Sequence, residues 1–108
     1  MSEREMNQVF FALADPTRRE VIRRLSVQGP VTVSELAREL PVTRQAVAKH
    51  LAALDEAGLI SAEAEGRRKR YRLTPGPLAD AVGWMAGVGA EWDARLEALQ
   101  RHLRSERR

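Results

Sequence analysis

The 108-residue sequence predicts a mainly α-helical domain of about five helices with one small β-hairpin. Three observations carry that expectation. Apolar residues recur at helical spacing in a row of short segments, each bounded by a capping residue, a glycine or a proline. One stretch after residue 58 changes to period-two alternation around a glycine turn. An apolar row then continues at spacings of three and four from Leu78 to Leu103.

Met6, Val9, Phe10 and Leu13 form the apolar stripe of the first helix. Asp15-Pro16 closes it and opens the second: the carboxylate can cap, and a proline at the first helical position sacrifices no hydrogen bond. Val21, Ile22 and Leu25 give that helix its inner face, and Gly29-Pro30 ends it. Thr32-Val33-Ser34-Glu35 reads as a capping box before a short helix with Leu36, Ala37 and Leu40 inward, halted at Pro41. After the turn 41–43, Thr43 caps a longer helix with Val47, Leu51 and Leu54 inside and an end at Ala57-Gly58. A short helix, a tight turn and a second helix bearing two bases and a histidine in its first two turns make a helix-turn-helix pattern.

The segments Leu59–Ala64 and Lys69–Leu73 alternate around Glu65-Gly66, and the resulting hairpin carries Arg67, Arg68, Lys69, Arg70 and Arg72 at its tip and returning strand. A basic hairpin directly after a recognition helix is a wing, so the fold expected is a winged helix-turn-helix. Thr74-Pro75 starts the last helix, whose seam of Leu78, Val82, Met85, Val88, Trp92, Leu96, Leu99 and Leu103 lasts about seven turns. Gly83, Gly87 and Gly89 each destabilise such a helix by roughly 1 kcal/mol relative to alanine. Either they permit close backbone approach to a partner, or the helix bends or breaks near 83–89.

Charge and composition narrow the function. The formal net charge is +3, and 11 of the 18 basic residues lie in 16–24, 43–50 and 67–72 with Glu20 as the sole acid; the segment 53–65 has four acids and no base. Such segregation suits a polyanion. The absence of cysteine excludes disulfides, thiolate metal sites and cysteine nucleophiles. The charged start Met1-Ser2-Glu3-Arg4-Glu5 lacks a signal-peptide core, and the uncharged stretch Ala81 to Ala90, which no other exceeds in length, is too short to span a bilayer, so a cytoplasmic protein without membrane contact is expected. No nucleophile–base pair, Gly-rich phosphate loop or carboxylate pair in a cleft setting points to an enzyme, and no cofactor is expected.

The order of these elements and their residues resembles the ArsR family of bacterial winged-helix repressors. Phe11-Ala12-Leu13-Ala14-Asp15-Pro16-Thr17-Arg18-Arg19 looks like the family's opening motif, and Val33-Ser34-Glu35-Leu36-Ala37 with Thr43-Arg44-Gln45-Ala46-Val47-Ala48-Lys49-His50-Leu51 is similar to its helix-turn-helix. Leu54 and Glu56-Ala57-Gly58-Leu59-Ile60 fit the junction to the wing, and the likeness runs from about residue 6 to 103. Trp84 and Trp92-Asp93-Ala94-Arg95-Leu96 resemble a metal-independent branch. The family's thiolate sensors carry cysteines near the start of the helix containing Glu35, and this chain has none. Its other metal branch pairs an aspartate with a histidine two positions on, where this chain has Asp93 and Arg95, leaving only His102 and Glu106 downstream; no metal site is carried over.

The expected partner is double-stranded DNA with an imperfect palindromic operator, bound by a homodimer that represses transcription and regulates its own gene. In a major groove Arg44 can bond guanine, Gln45 adenine, and Lys49 phosphate, with Thr43 and Ala48 on the same surface. His50 either holds phosphate or packs and caps. Arg67, Arg68, Lys69 and Arg70 reach phosphates or the minor groove from the wing, and Thr17 and Arg18 add backbone contacts at the start of the second helix. Residues 1–14 and 75–104 serve as dimerisation helices within a single domain 1–108, through Met6, Phe10, Leu78, Val82, Met85, Trp92, Leu96, Leu99 and Leu103. Arg104, Arg107 and Arg108 form a disordered tail. The alternatives are a protein-interaction module, and a repressor whose unidentified small-molecule effector binds near Trp84 and Trp92.

Overall fold

The computed structural model describes residues 1–106, and Arg107 and Arg108 lie outside the described residues. The order is α1 (Glu3–Leu13), α2 (Pro16–Gln28), α3 (Val33–Glu39), α4 (Arg44–Glu56), β1 (Ile60–Glu65), β2 (Arg68–Leu73) and α5 (Pro75–Glu106). Each of the first four helices starts where a side-chain oxygen accepts an otherwise unpaired backbone N–H three residues on. Ser2 Oγ accepts from Glu5 at 3.1 Å, Asp15 Oδ2 from Arg18 at 2.9 Å, Thr32 Oγ1 from Glu35 at 3.2 Å and Thr43 Oγ1 from Ala46 at 3.1 Å. The Thr32 box differs from the reciprocal pattern expected. Glu35 Oε1 accepts from the Thr32 hydroxyl at 3.3 Å and also faces Arg70 on β2 at 3.4 Å, so that carboxylate serves the wing as well as the cap.

The core is one cluster. Val9 and Ala12 of α1, Val21 and Leu25 of α2, Leu36 and Leu40 around α3, and Val47, Leu51 and Leu54 of α4 are buried with Val31, Leu59, Ile60 and Ala81. The α4–wing junction follows from backbone geometry. Gly58 has φ +76°, its N–H donates to Asp55 O at 2.9 Å, and the N–H of Leu59 donates to Leu54 O at 3.0 Å. This is a Schellman ending, sealed by burial of Leu54 and Leu59, and it turns the chain sharply into β1.

The hairpin is antiparallel with Ile60 opposite Leu73, Ala62 opposite Tyr71 and Glu65 opposite Arg68. β1 lies one residue later than expected and β2 starts one residue earlier, and the loop is Gly66-Arg67, with Gly66 at φ +61° in the first loop position. An attachment absent from the sequence reading fixes the wing to the body. Val31, in the linker before α3, exchanges two backbone hydrogen bonds with Tyr71, at 3.0 and 2.8 Å.

The last helix is continuous for 32 residues, which removes the expected alternative of a break at 83–89. A Cβ added to Gly83, Gly87 or Gly89 would meet nothing within 4 Å, so packing inside this chain does not require glycine there. Arg104, expected in a disordered tail, lies in its last turn. Beyond Ala81 the helix leaves the core, and the radius of gyration is 19.4 Å, against roughly 13 Å for a compact chain of this length. No helix among the described residues is long and apolar enough to cross a membrane.

Two measurements follow from this frame. Gly58→Ala forces a side chain into the left-handed region and should destabilise the protein by about 1–2 kcal/mol, whereas Gly83→Ala, in open helix, should stabilise it by about 0.5–1 kcal/mol; urea denaturation reads both. The second concerns pH. Asp15 is held below the usual carboxylate range by the Arg18 N–H and then by His50, Glu20 by Arg23 and then Arg24, and Glu39 by Gln28 and Arg24. Carboxylates lowered by folding add stability that is complete above their ordinary values, 3.8 for Asp15 and 4.5 for the glutamates, and lost as pH falls below them. The urea midpoint should therefore hold above about pH 5 and decline below it, with Glu39→Gln flattening the decline.

Candidate nucleic-acid interface

Rotation of α4 about its axis is set by its buried residues. With Val47, Leu51 and Leu54 each fully buried, Arg44, Gln45, Ala48 and Lys49 are left exposed, as is the capping residue Thr43. Gln45 and Lys49 have no hydrogen-bond or ion-pair partner among the described residues. Arg44 is engaged: its Nη2 donates to Ser34 Oγ on α3 at 2.8 Å. His50, on the flank of α4, is half-buried with Nδ1 3.8 Å from Asp15 Oδ2, so it joins α4 to the N-terminus of α2.

The start of α2 is occupied differently from the sequence reading. The Arg18 guanidinium turns back onto α1, donating from Nε to Ala12 O at 2.6 Å and from Nη2 to Phe11 O at 3.4 Å. Arg19 donates to Leu13 O and Ala14 O at 2.8 and 3.0 Å. Both arginines thus cap carbonyls at the end of α1, where Phe11 O also accepts from the Ala14 N–H at 3.2 Å. Thr17 is half-buried in the first turn of α2.

The wing bases divide into two groups. Arg70 pairs with Glu65 and with Glu35 of α3, and Arg72 pairs with Glu63. Arg67, Arg68 and Lys69 are exposed and have no such partner among the described residues. With Arg44 they line an open cleft of about 300 Å³ whose remaining wall includes Thr32 and Ser34. Residues separated by more than 20 positions in sequence thereby place four cations around one concavity. A second groove, about 390 Å³, lies between α1 and the end of α4; Phe11, 78% exposed, and Ala53 line it together with the polar Arg4, Asn7, Gln8 and Glu56, and no spacing in the sequence marks it.

The residues read as a dimer seam fall into two sets. On α1, Met6 and Phe10 are half-buried, and Phe10 meets Trp84 of the same chain edge to face, ring centroids 5.6 Å apart. Leu78 packs on the core. Val82, Met85, Trp92, Leu96, Leu99 and Leu103 remain 49–58% exposed. Among the described residues no group of three or more His, Cys, Asp or Glu comes together.

Comparison with known proteins bears on this geometry directly. A helix-turn-helix domain model matches residues 13–61, from the end of α1 into β1. The HTH-type transcriptional regulator Rv2034 of Mycobacterium tuberculosis is 46% identical over 76 residues, covering 70% of each chain. The arsenical resistance operon repressor of Escherichia coli is 33% identical over 99 residues, covering 91% of this chain and 81% of that one. The solved structure of an ArsR-like transcriptional regulator from Rhodococcus sp. RHA1 superposes with a TM-score of 0.77 at 42% identity, over 90% of this chain and 91% of that one. All three are named as regulators or repressors of transcription or of an operon. With that identity across most of its length and its helix-turn-helix and wing in the same order, the chain belongs to the ArsR family of helix-turn-helix transcriptional regulators.

Proposed function

We propose that two copies of this chain form a homodimer that binds an imperfect palindromic operator and represses transcription by occluding a promoter, its own gene among the targets. The observation that carries the DNA reading is the gathering of Arg44, Arg67, Arg68 and Lys69 around one cleft beside the exposed face of α4. Four cations gathered in this way repel one another unless an anion lies between them, and a duplex supplies a row of phosphates. Gln45, Ala48 and Lys49 face the major groove, while the wing straddles the backbone. Repression accords with the name of the Escherichia coli relative, the arsenical resistance operon repressor. This chain's lack of cysteine separates it from thiolate-based sensing.

Dimerisation is favoured by the uncovered row on α5. Seven large apolar side chains from Val82 to Leu103, Trp84 among them, stay about half exposed along a helix that leaves its own core, an arrangement that a second copy would relieve. A symmetric pair would set two α4 helices about one helical turn, ~34 Å, apart, which is why the operator is expected to be palindromic.

Fluorescence anisotropy on labelled duplexes tiled across the region upstream of the gene tests the central claim. One palindromic tile should bind at least ~10³-fold tighter than a shuffled control; weak and equal binding to every tile would overturn it. Leu96→Asp with Leu99→Asp should give a monomer in sedimentation and abolish tight binding to that tile. Salt titrations separate the wing bases: Arg68→Ala should lower the slope of log affinity against log salt by about 2, at about 0.9 per phosphate in each of two subunits. Arg70→Ala, which removes a charge already matched by Glu65 and Glu35, should change the slope little.

A further inference from the structure

Arg44 opens the recognition helix, and from sequence its natural role is to read guanine. That role takes two N–H groups on one edge of the planar guanidinium, since guanine O6 and N7 are bonded together, and it needs that edge turned to the bases. In this structure one terminal nitrogen is tied to the neighbouring helix instead. Nη2 is bonded to Ser34 Oγ at 2.8 Å, across the turn between α3 and α4. The bond draws the guanidinium off the α4 face that carries Gln45, Ala48 and Lys49 and into the wall of the cleft beneath the wing.

The chemistry of that cleft is one-sided. Arg44, Arg67, Arg68 and Lys69 line it with the hydroxyl-bearing Thr32 and Ser34, and no carboxylate is among its lining residues. Glu35, which follows Ser34 in the chain, is engaged by the Thr32 hydroxyl and by Arg70. Glu65 and Glu63 are likewise engaged by Arg70 and Arg72 on the wing. The ion pairs thus neutralise the wing's own carboxylates and leave the cleft with uncompensated positive charge.

We propose that this cleft is the seat of a DNA backbone phosphate, and that Arg44 is a phosphate ligand positioned by Ser34 and not a base reader. The inference rests on the DNA-binding reading above and deepens it. Readout of sequence then falls to Gln45 and Ala48, and Arg44, like Lys49, holds the backbone, setting the depth and register of α4 from the side of the wing.

The test uses the full chain as wild type, R44A, R44K and S34A. Each protein selects from a randomised duplex pool, and each is titrated by anisotropy against the wild-type-selected duplex and a scrambled one over a salt series. R44A should weaken both duplexes by a similar factor, about tenfold or more, lower the salt slope by about 2, and enrich the same motif as wild type. S34A should weaken both duplexes less, with the slope unchanged, because the charge remains and only its placement is lost. R44K should keep both slope and motif, and it carries the test if melting curves show that R44A does not fold. A loss confined to the selected duplex, an unchanged slope in R44A, or disappearance of a guanine from the motif enriched by R44A or R44K would overturn the assignment. A wild type that enriches no motif and binds neither duplex would overturn the DNA-binding reading itself, and this assignment with it.

Discussion

Everything the recognition surface does depends on the burial of one face of α4. Val47, Leu51 and Leu54 are withdrawn fully from solvent into a core shared with Val21, Leu25 and Leu36. Each such side chain gains about 1.5–3 kcal/mol from leaving water, and together they leave the helix no freedom to roll. The direction in which Gln45 and Lys49 point is therefore a consequence of hydrophobic packing on the opposite side. The same core reaches through Leu54 and Leu59 to the Schellman turn at Gly58, so the wing inherits its position from the end of the recognition helix. A second tie, the Val31–Tyr71 backbone pair, prevents the hairpin from swinging about that turn.

Electrostatics then sorts residues that look equivalent in composition. Arg18 and Arg19 spend their donors on the carbonyl end of α1, Arg23 and Arg24 on Glu20, Arg24 also on Glu39, and Arg70 and Arg72 on wing carboxylates. Exposed pairs of this kind contribute little stability individually, typically about 0–1 kcal/mol. Their effect on the charge map is larger, because each removes a cation from what a polyanion would meet. What remains is concentrated at the start of α4 and the tip of the wing.

The long helix obeys a different constraint. Its first turns cover the body through Leu78 and Ala81, and Phe10 of α1 lies edge-on against Trp84. The remaining turns hold an apolar row with nothing of this chain against it. Arg95 lies over the Trp92 ring, 5.8 Å from its centroid, which shields one aromatic face but leaves the side chain more than half exposed. Continuity of the helix across three glycines keeps the row on one helix and not on two segments that could fold back on each other.

Much of this molecule is legible in the chain itself, because short-range rules decide it. The caps at Asp15, Thr32 and Thr43, the stops at Gly29, Pro41 and Gly58, the inward positions of α2, α3 and α4, and the hairpin turn at Gly66 are all set by the local chemistry of neighbouring residues, and periodicity alone identified the seam of α5. The tertiary structure decided matters that depend on distant partners. Sequence spacing offers Arg18, Arg44 and Arg70 as DNA ligands alongside Arg68. Only the folded chain brings Ala12 O to Arg18, Ser34 to Arg44 and Glu35 to Arg70. The Val31–Tyr71 bridge was likewise invisible, since one extended residue between two helices has no period to detect. The glycines of α5 permitted either a break or a continuous helix, and the folded chain keeps the helix unbroken from Pro75 to Glu106. Local propensity thus determined which elements form and which faces are apolar, while long-range hydrogen bonds and ion pairs determined which charges are left to act, because a side chain's availability depends on neighbours that sequence distance does not reveal.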